Sequence, residues 1–241
     1  DFNIGGSAGA LNYVKQDLPF TVVAAFFQKN PQILMSHPNQ NIDGPSQFQG
    51  KTIFLSNFGR MSFWPFIKSK YNLSDDNLKN YNFNSQPFIE DQQSIQQGYL
   101  SSEPFAIKKI AGFEPVIHLL ADHGYDAYAN TIETAVSTIK DRPEIVRSFI
   151  NASRKGWVSF LHQDPSPAFK LIKELNPDMP NDKLVYARSM MISYNIVEIE
   201  GVKIGSMSDQ RWENFYTKSK NLGIYDQDIS YKKAYTLEFS N

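Results

Sequence analysis

Asp1-Phe2-Asn3-Ile4-Gly5-Gly6-Ser7-Ala8-Gly9-Ala10-Leu11 opens the chain and decides its class. Residues 1–4 carry the alternation of a strand end, Gly5 to Gly9 form a small-residue turn, and a helix is expected from Ala10 through Val14. A glycine turn that feeds a helix leaves backbone N–H groups unpaired at the positive end of the helix dipole, a seat for an anion or a polar ligand group. Gly5, Gly6 and Ser7 are therefore the first ligand-binding candidates. The same residues satisfy G-x-S-x-G, the nucleophile elbow of hydrolases. That chemistry needs an oxyanion donor from an earlier loop and a late histidine. Only six residues precede Ser7, and of His37, His118, His123 and His162 the last still leaves the final 79 residues without a histidine. A ligand-contacting turn is expected, with a plain structural strand-to-helix turn as the alternative, and no catalytic turnover.

Lys51-Thr52-Ile53-Phe54-Leu55 repeats the pattern. This strand ends at Ser56-Asn57-Phe58-Gly59, and a helix is expected over 61–71. Ser56, Asn57 and Gly59 become the second set of candidates, with Arg60 beside them as a possible anion contact. Two strand–turn–helix units in one α/β chain imply two sheets whose strand ends face a ligand. The polar, turn-rich stretch from His37 to Pro45 reads as the crossing between two lobes.

Further strands are expected at 20–27, 32–36, 80–84 and 115–121, and a helix at 89–97. The second half reads as mainly helical. Asp141-x-x-Glu144 with Pro143 reads as a capping box, and Ile145, Phe149, Ala152, Gly156 and Phe160 as the buried face behind it. Asn181 and Ser208 are expected to cap two more helices, the second ending at Gly223.

The 241 residues suffice for one large domain or two lobes. A formal net charge of −1 with scattered Lys and Arg excludes the basic stripe that nucleic acid requires. Cysteine is absent, which removes disulfides, thiolate catalysis and cysteine-ligated metals together. His118, Asp122 and His123 do not converge in a strand, so neither a metal nor a cofactor is expected.

Glu103, in Ser101-Ser102-Glu103-Pro104 after a short strand, can take two parallel hydrogen bonds from an aminopyrimidine edge. A solvated loop acid or a helix-start charge is the plainer reading. Tyr125 and Tyr128, in a glycine-containing loop, could stack on a flat ring or simply cover a core edge.

With these elements in place, the chain resembles the substrate-binding proteins of ABC importers in the nitrate, sulfonate and thiamine-precursor group, and most the binders of thiamine pyrimidine precursors. The stretches that carry the resemblance are Asp1 to Leu11, Ile95 to Pro104, Ala121 to Tyr128, Met207 to Trp212 and Tyr231 to Phe239. It implies a two-lobed, periplasmic-binding-protein-like (type II) α/β fold with a hinge that closes on a small molecule. Lobe I would hold residues 1–36 and 123–241, and lobe II residues 37–122. Members of the family carry an N-terminal βαβ portion with an aspartate–tryptophan stretch that this sequence lacks, so lobe I is expected to be incomplete and an export signal to lie upstream. The resemblance further implies a periplasmic or lipid-anchored extracellular location and a membrane permease as partner. Three other functions stay open: an anion binder for sulfonate or nitrate, a pyrimidine synthase on the same fold, and the sensing half of a transcriptional regulator. The synthases rely on a cysteine-rich iron-binding stretch, which a chain without cysteine cannot supply.

Overall fold

A computed structural model describes residues 1–225 and 228–240. The elements run β1 (Phe2–Gly6), α1 (Ser7–Lys15), β2 (Phe20–Phe27), β3 (Gln32–Ser36), β4 (Ile53–Leu55), α2 (Asn57–Met61) and α3 (Trp64–Tyr71). They continue with β5 (Leu78–Asn80), α4 (Gln86–Glu90), β6 (Ile95–Tyr99), α5 (Glu103–Ala111), β7 (Val116–Leu119) and β8 (Ala129–Ala135). Helices α6 (Val136–Asp141), α7 (Pro143–His162), α8 (Ser166–Leu175), α9 (Asn181–Ser193) and α10 (Asp209–Asn221) follow. Among the described residues no helix is long and apolar enough to cross a membrane.

The chain divides into two compact units. Unit 1 comprises Asp1–Asn30, Ala127–Thr217 and Gln227–Asn241; unit 2 comprises Pro31–Asp126 and Lys218–Asp226. The border thus falls at Asn30 and Pro31 rather than in the 37–45 stretch. That stretch lies wholly in unit 2, where Asn39 and Asn41 take positive φ and Pro45–Gln47 makes a 3-10 turn.

Unit 1 is built on an antiparallel sheet ordered β1-β8-β2. Strand β2 is buried along all but its first residue. Trp157 of α7 packs on Phe26 and Phe27, and the C-terminal segment pairs with its free edge through Thr236 N–H to Val22 C=O. In α7 the buried positions are Val146, Ile150 and Leu161, one step round from the face read in the sequence. Ile145 and Phe149 are half exposed, and Phe149 instead stacks flat on Phe2 at the sheet rim, 4.2 Å between centroids. The capping box at Asp141 does not form. Asp141 ends α6, and α7 starts at Pro143 without a side-chain cap. Asn181 is likewise the first residue of α9, not its cap. Ser208 does cap α10, accepting from Arg211 N–H at 3.3 Å, and Gly223 follows its end at φ +71°.

Unit 2 holds a five-stranded sheet ordered β5-β4-β6-β3-β7. Strand β4 runs parallel to β5 and β6, whereas β3 runs antiparallel to β6 and β7. The helix expected over 61–71 starts later, at Trp64, with Pro65 in its first turn where no N–H is needed, and the stretch read as a turn before it folds as the separate short helix α2. Residues 95–97, read as helix, belong to β6: they add a buried strand beside β3 and β4, and tertiary pairing outweighs local propensity. The strand expected through Asn84 stops at Asn80, and Phe83 beyond it has φ +60°, which no strand accommodates.

Candidate functional site

The candidates from the sequence lie in both units, and each half is described within its own unit. In unit 1, β1 runs straight into α1 with Gly6 as the extended cap residue. Ser7 is 1 % exposed, its N–H donates to Tyr128 C=O at 3.1 Å, and its Oγ accepts from Tyr128 N–H at 2.9 Å. A Cβ on Gly6 would lie 3.1 Å from the same Tyr128 carbonyl. The structure therefore brings Gly6, Ser7 and Tyr128 together as a clasp between α1 and β8. The first-turn N–H groups of Ala8 and Gly9 are the ones this helix start leaves over.

Gly5 serves another group. A Cβ there would sit 1.9 Å from Glu133 Oε1, so the missing side chain makes room for a carboxylate that is 1 % exposed. Glu133 accepts from Asn3 Nδ2 at 3.0 Å, Tyr13 Oη at 2.9 Å and Thr131 Oγ1 at 3.2 Å.

Tyr125 and Tyr128, which the sequence left open between stacking on a ligand and covering a core edge, are both buried. Tyr128 lies in unit 1 under the Arg211 guanidinium at 4.0 Å and beside Trp212, its hydroxyl accepting from Ser208 N–H at 3.1 Å. Tyr125, in unit 2, meets Phe66 edge to face at 5.4 Å, and burial pushes its hydroxyl pKa well above the usual tyrosine value. Both rings are packed by residues far away in sequence, in keeping with the core-edge alternative.

Ser7 Oγ is tied to a backbone amide, and among the described residues no base is bonded to it. Ser7→Ala should leave any ester hydrolysis at its background rate while costing about 1–2 kcal/mol in urea denaturation, since the buried Tyr128 amide loses its acceptor. A serine-dependent esterase rate would sink this.

In unit 2 the C-terminal ends of the parallel strands β4, β5 and β6 lie side by side, the position at which open α/β sheets present ligand-binding loops. After β4, Ser56 caps α2 by accepting from Gly59 N–H at 3.1 Å, and its own N–H donates to Gln97 Oε1 at 2.6 Å. That amide oxygen occupies the place of a Gly59 side chain, 2.2 Å from a Cβ built there. Gln97, which sequence reasoning missed, thus braces the Ser56–Gly59 turn from β6. Asn57 is exposed, and Arg60 Nη2 donates to Asn80 Oδ1 at 3.3 Å.

After β6, Glu103 is the first residue of α5. Its Oε2 accepts from Tyr99 N–H at 2.7 Å and its Oε1 from the Tyr81 hydroxyl at 3.3 Å. Tyr81 is buried, and its hydroxyl pKa is pushed up to about 12, first by burial and then by the Glu103 charge. The hydroxyl therefore stays protonated and donates. A carboxylate with one bond on each oxygen keeps lone pairs for two further donors. Phe83 lies 5.4 Å from the Tyr81 ring and is 76 % exposed. Phe58 and Met61 are also largely exposed on α2, which follows β4. The sequence held one cue to Phe83: a phenylalanine between asparagines in a polar run.

Among the described residues no group of three His, Cys, Asp or Glu could hold a metal. His118 Nε2 is paired with Ser36 Oγ at 2.9 Å instead.

Comparison with known proteins points one way in family. The family model described as "NMT1/THI5 like" matches residues 1–168. The riboflavin-binding protein RibY of Chloroflexus aurantiacus is 24 % identical over 235 residues, covering 93 % of this chain and 66 % of that protein. The alkanesulfonate-binding protein SsuA of Xanthomonas axonopodis, solved with MOPS bound, superimposes with a TM-score of 0.67 at 9 % identity, covering 98 % of this chain and 80 % of that one. The desulfurization enzyme DSZB superimposes with a TM-score of 0.58 at 12 % identity, covering 100 % and 84 %. These structures share the two-lobed fold expected from the sequence. The present chain spans about two thirds of the curated relative's length.

Proposed function

The chain belongs to the NMT1/THI5-like family, and from that premise we propose that it is the substrate-binding component of an ABC importer whose cargo is a small, flat nitrogen heterocycle, an aminopyrimidine precursor of thiamine first among them. The observation that carries this reading is Glu103 at the end of β6. Its two oxygens are held by Tyr99 N–H and Tyr81 Oη, which aim the carboxylate without exhausting its acceptor capacity. An amino group beside a ring nitrogen matches such an acceptor, and the aromatic side chains next to it suit a flat ring. RibY, named for binding another flat nitrogen heterocycle, supports the ring class. A permease partner and a periplasmic or lipid-anchored location follow from the same reading.

The protein acts here as a binder without turnover. An enzyme shares the fold, so the fold does not decide this. Two observations support this reading: Ser7 is tied to a backbone amide, and the sequence has no cysteine to supply the ligands a pyrimidine-synthase chemistry would need.

Titration calorimetry with an aminopyrimidine alcohol, riboflavin, an alkylsulfonate and nitrate tests the proposal. The heterocycles should bind, and Glu103→Ala should weaken the aminopyrimidine by on the order of 2–4 kcal/mol, because a ligand donor is left unpaired. Tight binding of nitrate or the sulfonate, indifferent to Glu103→Ala, would replace this function with anion capture at the Ser56 turn and Arg60.

A further inference from the structure

Phe83 breaks two rules at once. Its φ of +60° is a conformation that glycine and asparagine adopt readily and a bulky L residue rarely does. Its side chain, 76 % exposed, buries little that would repay the strain. Asn82 and Asn84, either side, are exposed as well, so packing does not force the turn. Strained backbone that folding does not reward is a mark of a residue held for binding.

Its neighbours say what it would bind. The inner side of the ring leans on Tyr81, whose hydroxyl donates to Glu103. Phe83, Tyr81 and Glu103 thus form a continuous run, from an open aromatic face to a carboxylate with spare acceptor capacity. The backbone of this run is anchored, because Tyr81 N–H donates to Leu55 C=O on β4. Phe58 and Met61, on α2 after that same strand, are exposed apolar side chains as well. A ring face next to a carboxylate fits a planar heterocycle bearing N–H donors on its edge. Inorganic and alkyl anions gain nothing from either feature, and the carboxylate repels them.

We propose that the Phe83 ring is the platform on which the ligand's flat ring lies, making Phe83 the residue that selects aromatic heterocycles over anions. The inference rests on the heterocycle reading above and adds to it a ligand contact, a reason for the strained turn and a specificity.

The experiment pairs affinity with stability. Phe83→Asn removes the ring and installs a residue at ease with φ +60°, so the melting temperature should hold or rise. Affinity for the aminopyrimidine should fall about tenfold or more with the loss of stacked apolar area. Phe83→Tyr and Phe83→Trp should keep it. Opposite shifts in stability and binding would set Phe83 apart from a residue that merely supports the fold. If Glu103→Ala weakens the aminopyrimidine but Phe83→Asn leaves it unchanged, the platform is refuted while the heterocycle reading stands, and the exposed ring then belongs to a protein-docking surface. If no heterocycle binds, or Glu103→Ala is without effect, both fall. A melting temperature that drops with Phe83→Asn would also overturn the proposal, since the ring would then be a fold support.

Discussion

Gly5→Ala should destabilise the protein by about 3 kcal/mol or more, a large effect for one added methyl group. In an edge strand, alanine for glycine ordinarily helps slightly, since it reduces the freedom of the unfolded chain. Here the new Cβ would stand 1.9 Å from Glu133 Oε1, and the carboxylate is hemmed in by Asn3, Tyr13 and Thr131. It must swing away, leaving an almost fully buried charge without donors. Urea denaturation of a double-mutant cycle tests the cause. Glu133→Ala removes the obstacle, so adding Gly5→Ala to it should cost less than about 1 kcal/mol, a coupling of about 2–3 kcal/mol. Strictly additive costs would mean that Gly5 answers to something other than Glu133.

The same pair shows where sequence reading stopped. The strand meeting a helix start at Gly5 and Gly6 was legible, because it is a local pattern, although the turn expected over 5–9 is absent and α1 starts directly at Ser7. The reason for a glycine at position 5 was not legible: Glu133 lies 128 positions away from Gly5, and neither residue type announces the other. Gln97 and Gly59 repeat the lesson in unit 2, where a glycine assigned to a ligand seat makes room for an amide from another strand. The cap at Ser208 was legible since it is closed within three residues, whereas the equally local cap at Ser56 was read as a ligand turn. The failed box at Asp141 had the right spacing, but Pro143 started α7 beyond it and Asp141 was absorbed into α6. Residues 95–97 were misread as helix because an Ile-Gln-Gln run has no strong period of its own; two neighbouring strands decide it. The candidate site follows this division. Glu103 stood out as a carboxylate at a strand end, whereas Tyr81, which orients it, becomes visible only when β4, β5 and β6 are laid side by side.

A second large effect is expected with pH, and it centres on His118 in unit 2. The ring is 3 % exposed on β7, paired through Nε2 with Ser36 Oγ and edge-on to Phe48 at 5.3 Å. Burial, reinforced by the neighbouring His123, lowers its pKa to about 4 against a weaker upward pull from Asp43. The folded protein therefore keeps His118 neutral where the unfolded chain, with an ordinary histidine pKa of about 6.5, already binds a proton. Its contribution to stability is complete above pH 6.5 and is lost progressively as the pH falls from there toward 4, a loss of about 3 kcal/mol at the acid end. The pKa of His123 is also lowered, by burial and by Lys70 with Asp122 opposing, so it steepens the same window. Urea midpoints measured from pH 7 to pH 4 should fall accordingly, and the His118 ring protons should titrate well below the ordinary histidine value. His118→Leu will lower stability near neutral pH, because Ser36 loses its partner, so the level is uninformative and the slope is the readout. That slope should flatten markedly between pH 6.5 and 4 in the variant. An unchanged slope, or a His118 that titrates near 6.5 in the folded protein, would place the acid sensitivity elsewhere.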